Sequence, residues 1–149
     1  MKTLVSEIKV TYSPKVKAKD RFCINNSKDA YDLLMKDAFQ QETLEYKEYV
    51  KLILLNRANR VLGIYPLSEG GMDTTIMDVR LILQVALLTH SAALILAHNH
   101  TSGQLQPSIQ DNVSTEKVRD AAKLLNIVLH DHLIVSKEGY YSYNDEGRL

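Results

Sequence analysis

The sequence has little cysteine, since Cys23 is the only one among 149 residues. A single thiol excludes an intramolecular disulfide and every zinc or iron–sulfur site that is built from several cysteines. It also fits a reducing compartment, where disulfides are rare. Multi-cysteine metal chemistry is therefore excluded at the outset.

The chain has no surplus of charge of either sign, because 18 Lys and Arg residues balance 18 Asp and Glu residues. A protein that binds the nucleic-acid backbone normally shows a basic excess. Overall charge therefore gives no support to nucleic-acid binding, and only a local basic patch stays open.

Long hydrophobic runs are absent as well. The longest clean run, residues 92–97, is far shorter than the roughly 20 apolar residues that cross a bilayer. The first residues lack the apolar core and the small-residue cleavage site of a secretory signal. We therefore expect a cytoplasmic protein without a membrane segment.

What is present is the composition of one folded domain. The length leaves no room for two independent cores, and 45% hydrophobic with 24% charged residues is ordinary for a globular protein. Residues 1–26 are expected to form a strand and an extended segment. Residues 27–149 are expected to form the body of the same folded unit.

The spacing of apolar residues predicts strands that alternate with helices, which is typical of an α/β domain with a mixed sheet covered by helices. Capping residues mark the expected helix starts, and short β-prone runs mark the strands. The predicted elements are a strand over 4–12, a helix from 26 or 27 to about 41, a hairpin of 49–55 and 61–67, a mostly buried helix over 78–89, a central strand over 92–97, a helix over 107–126, and strands over 127–135 and 140–143.

Two histidines follow the predicted central strand. In extended backbone, residues two apart point to the same side, so His98 and His100 project together while Asn99 points away. Imidazole suits zinc, and a catalytic zinc site has three protein ligands and a fourth position for water. Asp111 is the best candidate for the third ligand, because the short loop around Gly103 can fold the first turn of the next helix back over the strand end.

Asp111 also has a purely structural interpretation. Ser108 and Asp111 have the spacing of a capping box, which would stabilise the start of the helix. The two roles compete for the lone pairs of the carboxylate. The ligand role therefore depends on the histidine pair being beside it.

A second histidine pair, His130 and His132, has the same spacing inside the predicted strand 127–135. Its apolar flanks favour interior positions in which the polar ring atoms are hydrogen-bonded. Either histidine can instead orient a metal ligand through a hydrogen bond.

Together these residues resemble the JAMM motif of the JAB/MPN superfamily, and within it the RadC-like proteins. The motif has a glutamate before an early strand, then His-x-His, seven residues, Ser, two residues and Asp. In this sequence it falls on Glu48, His98, His100, Ser108 and Asp111. The similarity also extends through 49–56, 70–71, 97–100, 102–103, 107–108 and 131–135, and it departs at Thr101, where the family usually has proline.

The resemblance implies a single α/β domain of the JAB/MPN, cytidine-deaminase-like fold, and a zinc-dependent hydrolase of peptide or isopeptide bonds. The family pattern implies one zinc ion on His98, His100 and Asp111, with Glu48 as the general base and Ser108 as an oxyanion donor. Spacing alone does not separate Glu48 from Glu45, and the family register selects Glu48. Asn99 and His132 are candidates for residues that orient the ligands.

Two other functions stay open. The domain can be a non-catalytic, zinc-stabilised interaction module, or an accessory protein of the DNA repair to which the family name refers. The helical DNA-binding region that precedes this domain in RadC proteins does not fit into the first 26 residues, so we expect the hydrolase-like domain alone. The sequence does not identify the peptide or protein substrate, and a homo-oligomer stays possible.

Overall fold

The structure is a computed structural model that describes residues 4–70 and 77–149. Within these residues, strands and helices alternate along most of the chain. The strands are β1 (Tyr49–Leu55), β2 (Val61–Glu69), β3 (Ala93–Asn99), β4 (Val128–Val135) and β5 (Tyr140–Ser142), and the helices are α1 (Ser27–Asp37), α2 (Val79–Leu88) and α3 (Ile109–Leu124). None of the helices in these two ranges combines the length and the apolar character that a bilayer span requires.

The strands form one mixed sheet in the order β2-β1-β3-β4-β5. β1 is antiparallel to β2 and β3, β3 is parallel to β4, and β5 is antiparallel to β4. All seven residues of β3 are buried, as expected for a strand with neighbours on both sides and helices on both faces. The predicted mixed sheet flanked by helices is therefore confirmed.

The two faces of the sheet bury separate cores. Leu34 of α1 packs with Ile53 on one face. On the other face, Ile82 of α2 and Val118 of α3 pack with Leu96. Each fully buried side chain of this kind contributes roughly 1.5–3 kcal/mol through the apolar surface that it removes from water.

The connection between β3 and β4 positions the functional residues. Because these strands are parallel, the chain must cross over between them, and α3 is that crossover. The carboxyl end of β3 is joined to the amino end of α3 by a short loop. Residues that end β3 and residues that open α3 therefore meet at one edge of the sheet.

The predicted first strand is wrong. Residues 4–12 are outside any strand, and Val5, Ile8 and Val10 of the predicted pattern are exposed, at 82%, 87% and 70%. The hydroxyl of Tyr12 donates a hydrogen bond to the carbonyl of Leu62 in β2, over 2.6 Å. Alternation alone does not predict a strand here because a strand also needs a neighbour along its length.

Two helices also differ from the prediction. α1 ends at Asp37 instead of about residue 41, because the chain turns there and buries Phe39 in the core beside α1. α2 has the predicted bounds, but it is not mostly buried, since Leu81 and Leu87 are 43% and 52% exposed. Only one side of α2 contacts the sheet and α3.

Candidate metal centre

Three side chains that can bind a metal converge where β3 ends and α3 begins. Nitrogen atoms of His98 and His100 and a carboxylate oxygen of Asp111 all lie within 4.8 Å of one another. The two Nε2 atoms are 3.0 Å apart, His100 Nε2 is 3.0 Å from Asp111 Oδ2, and His98 Nε2 is 3.3 Å from Asp111 Oδ1. The side chain of His98 is 1% exposed and that of Asp111 is 13% exposed, so the centre is largely shielded from water.

The loop between β3 and α3 brings these groups together. Gly103 has a φ of 76°, in the left-handed region that favours glycine, and its N–H donates to the carbonyl of His100 over 3.0 Å. The turn sends the chain back toward the strand end. α3 then starts at a cap formed by Ser108.

Asp111 serves the helix and the histidines at the same time. Its Oδ2 accepts a hydrogen bond from the backbone N–H of Ser108 over 2.8 Å and lies 3.0 Å from His100 Nε2, while Ser108 Oγ accepts from the N–H of Asp111 over 3.0 Å. The capping box predicted from the sequence is therefore present. It leaves Oδ1 facing His98, so the structural role and the ligand role of Asp111 do not compete.

A backbone carbonyl orients His100. The Nδ1 atom of His100 lies 2.9 Å from the carbonyl oxygen of Gln104. A carbonyl oxygen only accepts hydrogen bonds, so Nδ1 carries the proton. In neutral His100 the lone pair is then on Nε2, which faces the centre, as a metal ligand requires.

The charges of the centre are coupled. Burial by itself raises the pKa of Asp111, but its contacts with His100 and His98 outweigh that effect, and the pKa of this carboxyl lies well below its ordinary value. Protonated His100 donates a hydrogen bond to Asp111, which raises the pKa of His100 against the opposite effect of its burial. Asp111 is therefore already ionised at any pH at which the histidines lose their protons, which is the state that binds metal.

The donor set and its spacing fit a divalent metal such as zinc. Zinc binds His nitrogen and carboxylate oxygen at about 2.0–2.2 Å, so two of its ligands at tetrahedral corners are about 3.4 Å apart. In the centre the two Nε2 atoms are 3.0 Å apart, His100 Nε2 is 3.0 Å from Asp111 Oδ2, and His98 Nε2 is 3.3 Å from Asp111 Oδ1. Two imidazoles and one carboxylate also form a three-ligand set, which leaves a fourth position open.

Glu48 lies beside the centre, directly before β1. It is 8% exposed. Val50 pairs with His98, so continuing the antiparallel register by two residues places Glu48 opposite His100 on the same face of the sheet. After the hydrogen bond to Asp111, the negative charge of Glu48 also contributes to the raised pKa of His100. Glu45, which spacing left as an alternative, is exposed.

Asn99 holds the segment that carries Glu48. Its side chain is fully buried and points away from the histidine pair, as strand alternation predicts. Asn99 Oδ1 accepts from the N–H of Tyr49 over 2.8 Å, and Nδ2 donates to the carbonyls of Leu44 and Lys47 over 2.7 and 2.8 Å. We expected Asn99 to orient a metal ligand. Its side chain instead contacts the backbone on both sides of Glu48.

The two residues of the second histidine pair lie in different surroundings. His132 Nε2 is 2.7 Å from His98 Nδ1, and burial, with a smaller effect of the His98 charge, lowers the pKa of His132 well below its ordinary value. His130 is partly buried and hydrogen-bonded to Asn59 Oδ1 over 3.0 Å. The pairing of β3 with β4 shifts between Leu94 and Ile95 and skips His130, an irregularity that sequence spacing does not reveal.

Sequence reasoning missed Thr115 and Tyr143 at this centre. Thr115 Oγ1 lies 2.6 Å from His132 Nδ1, and the ring of Tyr143 stacks on that of His132 with centroids 5.0 Å apart. Burial raises the pKa of Tyr143 to about 12. A threonine inside a helix and a tyrosine after a short strand have no distinctive sequence pattern, so only the fold shows their proximity to His132.

Comparison with known proteins gives one family. The model of the family "RadC-like JAB domain" matches residues 24–148. Similar relatives are UPF0758 proteins of Flavobacterium johnsoniae, 39% identical over 83% of this chain and 52% of the relative, of Porphyromonas gingivalis, 44% identical over 69% and 46%, and of Thermotoga maritima, 36% identical over 69% and 46%. The chain thus spans about half the length of the curated relatives that it matches.

Replacing Asp111 tests the ligand set. Asp111→Asn should keep the fold, because the amide oxygen can still accept from the N–H of Ser108, but it should lower zinc affinity by more than the roughly 100-fold that loss of an outer hydrogen-bond partner causes. Zinc affinity is measured by competition with a chelator, and folding by thermal unfolding. Asp120→Asn, an exposed acid on the same helix, is the matched control. Full zinc occupancy in Asp111→Asn would remove Asp111 from the ligand set.

Replacing Asn99 tests the anchor of the Glu48 segment. Asn99→Ala should lower the free energy of unfolding by about 3 kcal/mol, because three backbone groups lose their partner and each unsatisfied buried group costs roughly 1–3 kcal/mol. Urea unfolding measures the change, with the exposed Asn25→Ala as control. Equal stability of the two variants would contradict the anchoring role.

Proposed function

This chain belongs to the RadC-like JAB domain family, and on that premise we propose that it is a zinc-dependent hydrolase of peptide or isopeptide bonds. The observation that supports the proposal best is the convergence of His98, His100 and Asp111 with the buried Glu48 beside them. Three ligands with an open position and a nearby carboxylate form the arrangement that metal-assisted hydrolysis needs.

His98, His100 and Asp111 would hold the metal. A zinc ion held by three protein ligands supplies Lewis acidity and makes water available as a nucleophile near neutral pH. The protein contributes neutral imidazoles and an ionised carboxylate. His100 has its Nδ1 proton bound by the Gln104 carbonyl, and the pKa of Asp111 is far below neutrality, so the carboxylate needs no change of state to bind a metal at neutral pH.

Glu48 would act as the general base. Its carboxylate would take a proton from the attacking water and deliver it to the leaving amine, a role that is worth about 10²–10⁴-fold in rate. Its position opposite His100 places it next to the ligands without making it one of the three. The hydrogen bonds that Asn99 donates to Leu44 and Lys47 and accepts from Tyr49 keep the segment around Glu48 in one conformation, which general-base catalysis requires.

Ser108 would stabilise the oxyanion that forms when the amide carbonyl is attacked. Its Oγ accepts a hydrogen bond from Asp111 through a lone pair, so the hydroxyl proton stays available as a donor. Ser108 is also exposed, so a substrate can reach it. Loss of one oxyanion donor costs on the order of 10²–10³-fold in turnover.

The substrate would be a peptide or a protein with an isopeptide linkage, and a cytoplasmic location would fit the single cysteine. The equal numbers of acidic and basic residues give no support to nucleic acid as the substrate. A zinc-stabilised interaction module without activity is the competing function, and the test below separates the two.

Replacing Glu48 tests the proposed reaction. Glu48→Gln should keep one zinc per chain and lower kcat by about 10²-fold or more, because the amide cannot accept the proton of the water. Zinc content is measured by elemental analysis, and turnover by hydrolysis of fluorogenic peptide and isopeptide substrates. Glu45→Gln, an exposed neighbour in the same segment, should retain full turnover.

Two outcomes would contradict the proposal. Unchanged hydrolysis in Glu48→Gln would exclude Glu48 as the base. A zinc-loaded unaltered chain that hydrolyses none of the substrates would favour the interaction module.

A further inference from the structure

A buried chain of hydrogen bonds leads from α3 to the metal centre. Thr115 Oγ1 lies 2.6 Å from the carbonyl oxygen of Asp111 and 2.6 Å from His132 Nδ1, and His132 Nε2 lies 2.7 Å from His98 Nδ1. Thr115, His132 and His98 are each no more than 1% exposed. Water therefore does not provide alternative partners for these groups.

The position of each proton along this chain of hydrogen bonds follows from the number of protons that each group can donate. The carbonyl oxygen of Asp111 cannot donate, so the single hydroxyl proton of Thr115 must lie in the contact between them. The Thr115 oxygen then has only lone pairs left for His132. The contact of 2.6 Å between Thr115 and His132 must use a proton on His132 Nδ1.

The next contact follows from the neutral state of His132. A cationic imidazole that is completely buried loses its hydration, and the contacts of His132 here are a histidine, a hydroxyl and the flat face of Tyr143. Neutral His132 with its proton on Nδ1 has a lone pair on Nε2. The hydrogen bond of 2.7 Å to His98 then requires a proton on His98 Nδ1, and the lone pair of His98 lies on Nε2.

We propose that Thr115 and His132 are positioning residues that fix the tautomer of His98, so that its Nε2 atom is ready to bind the metal before any metal is present. The inference rests on the proposed function in so far as that function assigns a metal to the centre. The inference adds a cause for the ligand geometry to the proposed function. That cause is the hydroxyl group of Thr115, two turns from the start of α3.

The chain of hydrogen bonds also links two proposed ligands, Asp111 and His98, through one atom, Thr115 Oγ1. The proton of Thr115 holds the backbone carbonyl of Asp111, and a lone pair of Thr115 holds His132 and through it His98. His100 takes the same tautomer from a separate contact, with the carbonyl of Gln104. The two histidines therefore present the same atom, Nε2, for different structural reasons.

The first test uses the unaltered full chain without metal. Long-range ¹⁵N NMR of the imidazoles distinguishes the two neutral tautomers at a pH at which the histidines are not protonated. We expect His98 and His132 to carry their protons on Nδ1. A proton on Nε2 of His98 in the metal-free chain would overturn the inference, and this result does not depend on whether the protein hydrolyses anything.

The second test uses a matched pair of variants. Thr115→Val keeps the shape of the side chain but removes the hydroxyl, so His98 should become a mixture of tautomers and zinc affinity should fall by about 10–100-fold. Thr115→Ser keeps the hydroxyl and should restore both the NMR signature and the affinity. Zinc affinity is measured by chelator competition in chains whose folding is checked by circular dichroism.

The comparison of the two variants separates positioning from packing. Unchanged tautomer and unchanged zinc affinity in Thr115→Val would overturn the inference, and so would an equal loss in Thr115→Ser. If Thr115→Val does not fold, the NMR result on the unaltered chain decides by itself. Absence of hydrolysis by the unaltered, zinc-loaded chain would contradict the proposed function, but it would not affect the tautomer result.

Discussion

The carboxylate of Asp111 is the interaction on which the candidate centre depends. One of its oxygens accepts a hydrogen bond from Ser108 and contacts His100, and the other faces His98. A carboxylate offers about four lone-pair positions, so capping the helix and binding a metal use different parts of the same group. Because of this division, the first turn of α3 is fixed in the place where it completes the ligand set.

The end of β3 places one functional residue on each face of the sheet. His98 lies on the face that α2 and α3 cover, where it meets His132, and Asn99 lies on the opposite face, where it holds the segment of Glu48. Both residues are buried, and their polar atoms are hydrogen-bonded. In the part of the chain that the structure describes, no buried side-chain nitrogen or oxygen lacks a hydrogen-bond partner. The two histidine ligands and the segment of the proposed base are therefore held by the end of the same strand, which limits their relative motion.

The residues of the candidate centre lie in the same part of the chain that the family model matches. The three ligands, Glu48, Ser108 and the chain from Thr115 to His98 all lie within residues 24–148, which the family model matches. The exposed apolar segment from Leu4 to Val10 precedes that stretch. The relatives are about twice as long as their matched portions, so the activities of whole relatives add nothing to the assignment of this centre.

The sequence by itself determined the elements with strong local signals. Continuous apolar runs and capping residues predicted the hairpin, the central strand and the bounds of α2, and the motif spacing singled out His98, His100 and Asp111 before any fold was known. These features depend on neighbours along the chain, which the sequence contains. It could not predict that residues 4–12 pair with no strand, because alternation does not say whether a partner strand is near.

Only the tertiary structure decided how distant residues combine at the centre. The burial of Glu48 distinguishes it from the exposed Glu45. The hydrogen bonds of Asn99 to the Leu44–Tyr49 backbone and the contact of Thr115 with His132 join elements that are far apart along the chain. The shift in strand pairing between Leu94 and Ile95 likewise skips His130, whereas His132 pairs with Leu96. Hydrogen-bond direction and burial depend on which atoms meet in space, and the sequence records only their order.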